Sequence, residues 1–86
     1  MESLYKKAVE AWGADNQLDM AIEECAELIT AIRHFKRGRC SVQKLAEEVA
    51  DVEIMMDQIR EIINPIIIDT EKAEKLSRLK RRLETP

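Results

Sequence analysis

Residues 22–28 read Ile-Glu-Glu-Cys-Ala-Glu-Leu, and residues 46–52 read Ala-Glu-Glu-Val-Ala-Asp-Val. Both follow one pattern: apolar, acid, acid, apolar, apolar, acid, apolar. On a helix, residues three apart differ by about 60° in azimuth and lie roughly 5–6 Å apart. Glu24 and Glu27 therefore share one face, and Glu48 and Asp51 share another. A single Glu-x-x-Glu is usually a solvated helix face. Two matched pairs, each on the same flank of its own apolar stripe, allow four carboxylates to converge if the helices pack antiparallel. Met20, Ala31 and Met55 extend these flanks, so apolar residues and not lysines are expected to border the acids. Like charges gathered beside a core are costly and raise one another's pKa. A divalent cation removes that cost. An all-oxygen donor set without His or Cys suits Mg²⁺, or Mn²⁺, better than Zn²⁺.

Helices must position these acids, and the apolar spacing supplies them. Residues 2–12 read as a first helix through Leu4, Ala8 and Trp12, with Gly13 ending it and Asp15-Asn16 supplying turn or cap chemistry. Tyr5 and Trp12 are read as its anchors. A second helix is expected from about Gln17 to Arg37, with Leu18, Ala21, Ile22, Cys25, Leu28, Ile29, Ile32 and Phe35 as its apolar stripe. Gly38 stops it. Ser41 caps a third helix carrying Val42, Leu45, Ala46, Val49, Val52, Met56, Ile59 and Ile63, which Asn64-Pro65 ends. Ile66-Ile67-Ile68 reads as a link, and Asp69 or Thr70 as the cap of a basic fourth helix running to about Leu83. The expected fold is all-α: a compact bundle of about four helices in a single domain, 1–86. Two central antiparallel helices carry the paired acidic motifs.

Composition narrows the rest. The chain has 86 residues, two Gly, two Pro and 3% aromatics, too little turn chemistry for an all-β fold. No apolar run has the roughly 20 residues of a membrane span. Two cysteines are too few for a disulfide framework, and the expected setting is cytoplasmic. The net charge of −3 argues against a broad nucleic-acid surface. A chain this short buries only about 60–65% of its unfolded surface, so a homo-oligomer, dimer or tetramer, is expected.

The acids resemble a known signature. Glu23-Glu24-x-x-Glu27, then twenty residues, then Glu48-x-x-Asp51 is similar to the all-α nucleoside triphosphate pyrophosphohydrolases, the MazG-like group. Leu18-Asp19-Met20-Ala21-Ile22, Arg37-Gly38 and Lys75-Leu76-x-Arg78 add to the resemblance, which covers about residues 17 to 82. It implies Mg²⁺-dependent hydrolysis of a (deoxy)nucleoside triphosphate to the monophosphate and pyrophosphate, as in nucleotide-pool cleansing. Glu24, Glu27, Glu48 and Asp51 would be the metal ligands. Glu23 would support them or act as the base for the attacking water. Lys75 and Arg78 would meet the polyphosphate. Related enzymes often carry an aromatic about seven residues after Glu27 to hold the base; His34 stands there and joins the substrate-side candidates. An Asn often precedes the basic element's Lys by two positions; here it is Ala73.

Three other readings compete. Phosphoribosyl-ATP pyrophosphohydrolase of histidine biosynthesis shares the acids but typically has Tyr-His after the final Asp, where this chain has Val52-Glu53-Ile54. A carboxylate di-iron bundle needs Glu-x-x-His pairs that a single His does not provide. A non-catalytic helical interaction module would use the basic last helix and leave the acids without a task.

Overall fold

The corners of the chain are set by two glycines and three side-chain caps. In the computed structural model, which describes residues 2–85, four helices follow one another with no strand among the described residues. They are α1 (Leu4–Trp12), α2 (Ala14–Lys36), α3 (Val42–Ile62) and α4 (Pro65–Glu84). This is the all-α four-helix bundle expected from the sequence. Gly13, at φ 90°, turns α1 into α2 within one residue, a conformation that glycine adopts without a Cβ penalty. Asp15 and Asn16, expected to form a turn or a cap, therefore lie inside α2, whose N-cap is Gly13. At the other end of α2, Gly38 sits at φ 71°. Its amide donates to the Phe35 carbonyl at 3.0 Å, and the Arg39 amide donates to that of His34 at 2.8 Å. These two bonds form a Schellman end.

Ser3 and Ser41 cap α1 and α3, accepting from the amides of Lys6 and Lys44 at 3.0 Å each. The start of α4 corrects the sequence expectation. Pro65 occupies the first turn, where its missing amide leaves nothing unsatisfied. Asn64 Oδ1 accepts from the Ile66 amide at 2.9 Å. Ile66–Ile68 are thus helix and not link, and neither Asp69 nor Thr70 is the cap. Thr70 Oγ1 donates to the Ile66 carbonyl at 2.8 Å, and Asp69 accepts from Arg60 Nη1 at 2.7 Å.

α2 and α3 pack antiparallel along their length, and α1 lies against both. Their seam differs from the expected apolar one. On α2 it runs through Gln17, Ala21, Glu24, Leu28 and Ala31, and on α3 through Leu45, Glu48, Val52, Met55, Gln58 and Ile62, all buried or half-buried. The spacings are all three or four, which keeps one row of each helix facing the other. Much of the expected stripe points outward: Ile22 is 68% exposed, and Ile29, Ile32, Phe35 and Met56 are also exposed. Trp12 is mostly exposed, and Tyr5 is half-buried. Beyond the Asp69 contact α4 stands apart, meeting α3 and neither α1 nor α2.

A glutamine pair locks the seam at its far end. Gln17 Nε2 donates to Gln58 Oε1 at 2.6 Å, both side chains being buried. Gln17→Leu is expected to cost about 1–3 kcal/mol, because it strands the Gln58 oxygen. Adding Gln58→Leu should recover most of that loss, since neither partner is then left unpaired. Urea unfolding of the two variants checks the pair.

Candidate metal centre

The same alternation that builds the seam brings glutamates into it. Glu24 lies on the row of α2 that faces α3, one turn from Ala21 and from Leu28. Glu48 lies on the matching row of α3 and is only 5% exposed. Glu27 is exposed at the rim. One carboxylate oxygen from each of Glu24, Glu27 and Glu48 lies within 4.8 Å of the others. Oxygens of this kind, placed this close, could hold a hard divalent cation.

The electrostatics fit that use. Lys44, one turn before Glu48 on α3, places Nζ 2.9 Å from Glu48 Oε1, and this pairing raises the lysine's pKa. It satisfies only one oxygen of the cluster. Glu48 Oε2 and Glu24 Oε2 are buried and have no hydrogen-bond partner. Buried carboxylate oxygens are normally satisfied, so two orphans in one cluster call for a donor or a cation. Burial first, then the charges of Glu27, Asp51 and Glu48, holds the Glu24 carboxyl above its ordinary 4.5.

That shift has a sign that can be measured. The folded chain keeps Glu24 protonated at pH values where the unfolded chain has released that proton. Stability therefore falls as pH rises from about 4.5 through the raised pKa, and the contribution is gone above it. In chelator, the melting temperature should decline across this window. Glu24→Gln should flatten the decline and melt a few degrees higher at pH 7. A parallel pH profile for parent and variant would show that Glu24 carries no such strain.

An open cleft of ≈ 580 Å³ adjoins the acids, lined by Glu27, His34, Arg39, Lys44 and Glu48 among others. Arg39, Cys40 and Ser41 of the α2–α3 turn form part of its lining, and Arg39 follows directly on the turn at Gly38. His34, seven residues after Glu27, is among the residues lining this cleft. Arg39 and Lys44 were missed by sequence reasoning. The signal for Lys44 was its position four residues before Glu48, the spacing of a helix ion pair. Asp51 lies outside the converging set, although its charge acts on Glu24. Glu23 is exposed and also outside it. Lys75 and Arg78 are exposed on α4, which does not approach α2 in the same chain.

Fold and site together define an all-α protein with a carboxylate cluster in its central helix pair. Comparison with protein-family models, with curated proteins and with solved structures gave no match for the chain. No helix among the described residues is long and apolar enough to cross a membrane.

Proposed function

We propose that the chain is a Mg²⁺-dependent nucleoside triphosphate pyrophosphohydrolase of the MazG-like kind, with Mn²⁺ as an alternative ion. The observation that carries this is the convergence of Glu24, Glu27 and Glu48, two of whose oxygens are buried and unpartnered, beside a cleft that Arg39 and Lys44 also line. A cation held by these acids would neutralise phosphate oxygens and activate water for attack. The chain's own part is positional. Lys44 pairs with one oxygen of Glu48, and the other is buried without a partner. Asp51 adds negative charge that favours a cation at Glu24. Arg39, His34 and Lys44 line the route by which a polyphosphate would arrive, and guanidinium groups recognise phosphate well. Phosphoryl transfer needs little covalent help from protein, so the reading requires no Ser or Cys nucleophile. We place the work in the cytoplasm, where nucleotides are held and free cysteines such as Cys25 and Cys40 persist.

The test is pyrophosphate release from the common ribo- and deoxyribonucleoside triphosphates, with Mg²⁺ and again with chelator. Metal-dependent release together with the matching monophosphate is the expected result. Release from phosphoribosyl-ATP alone would move the reading to the histidine-pathway enzyme. A folded protein that neither releases pyrophosphate nor binds Mg²⁺ would make the interaction module the better account.

A further inference from the structure

We infer that α4 of one copy of this chain lies in the apolar groove on α2 and α3 of a second copy, and that the exchange is reciprocal. The inference stands on surface and charge, and does not depend on the catalytic reading.

The single chain exposes too much. Its accessible surface is 6908 Å², whereas a folded monomer of 9.9 kDa exposes about 5,200 Å². Its radius of gyration is 15.9 Å, against about 12 Å for a self-contained domain of this length. The excess of roughly 1,700 Å² is about twice what each partner buries in a standard stable interface.

Exposed apolar side chains occur on every helix, and two of these surfaces fit each other. One is the groove formed by Leu18, Ile22, Cys25, Ile29, Met56 and Ile59. The other is α4, where Leu76, Leu79 and Leu83 form one stripe and are 55%, 50% and 74% exposed. A groove between two helices takes a third helix by ridge-into-groove packing. The charges match as well. Residues 64–86 carry six Lys and Arg against four Asp and Glu, while residues 14–63 carry eleven Asp and Glu against six Lys and Arg. Asp15, Asp19 and Glu23 lie beside the groove on α2, Lys75 and Arg82 lie beside the stripe on α4, and Lys72 continues it one turn before Leu76. A two-fold axis makes both contacts at once and leaves no open end. It also gives Lys75 and Arg78 a route to the α2 of a second copy, which α4 does not approach in its own chain.

Sedimentation equilibrium tests this with Ile29→Lys in the groove and Leu79→Glu in the stripe. The parent should be a dimer or an even-numbered assembly, and each variant alone a monomer. Mixing the two variants should restore a dimer, because one parental groove then meets one parental stripe and the altered pair brings opposite charges together. A monomeric parent would overturn the inference, since α4 would then be serving its own chain or nothing. A Leu79→Glu protein that stays dimeric would overturn it too, in favour of groove meeting groove. Two monomeric variants that do not combine would exclude exchange. Should either variant lose its helical circular dichroism, Ile29→Ala and Leu79→Ala take its place. Each is expected to raise the dissociation constant at least about tenfold, and unchanged association in both would overturn the proposal.

Discussion

Glu24→Gln is expected to lower Mg²⁺-dependent pyrophosphate release by roughly 10²–10³-fold, the usual effect of removing one preorganised electrostatic group. The same substitution should leave the metal-free protein as stable as the parent, or more stable, at pH 7. This split identifies a functional residue. A side chain kept for structure loses stability when it is altered. One kept for a cation loses activity and relieves repulsion. Glu24 is half-buried, has an oxygen without a partner, and feels three neighbouring acids, so its charge works against the apo fold. Gln keeps the shape and removes that charge. Steady-state assays beside thermal melts in chelator measure both halves. Full activity in the Gln variant would remove Glu24 from the mechanism. Lost stability with retained activity would make it a packing residue.

Saturating Mg²⁺ should raise the melting temperature by a large margin. An ion that binds only the folded acids, at a hundred times its dissociation constant, stabilises by about 2.7 kcal/mol. For a chain of this size that corresponds to roughly 10–20 °C. The gain should vanish with chelator and in Glu24→Gln. It should also grow as pH rises through the raised pKa of Glu24, because the ion competes with that proton. Protein concentration must be held fixed, since assembly also moves the midpoint. An unchanged midpoint at saturating Mg²⁺ would contradict a cation site.

The four helices were legible because their apolar residues recur at helical spacing and Ser41, Gly13 and Gly38 mark their ends. The face each helix buries was less so. Ile22 and Ile29 look like core residues by hydrophobicity, yet they point out, and Gln17, Glu24 and Gln58 point in. Hydropathy ranks residues for burial somewhere, and it does not say whether the covering surface belongs to the same chain. The acid cluster was legible from its paired spacing, but membership was not. Asp51 is about 60° further round α3 than Glu48, which takes it off the row that faces Glu24. The beginning of α4 was hidden because Pro65 reads equally as the end of one helix and the first turn of the next. Arg39 could not be placed from sequence, since its position depends on the turn at Gly38.

The separate standing of α4 gives the chain two folding tempos. The α2–α3 hairpin closes through a short turn and needs only nearby contacts, so it should form within a single molecule and quickly. Past Asp69, α4 finds no partner in its own chain, and a lone helix of its length is marginal in water. Its ordering must then wait for a collision. Refolding should show a fast phase indifferent to dilution, followed by a slower one whose rate rises with protein concentration.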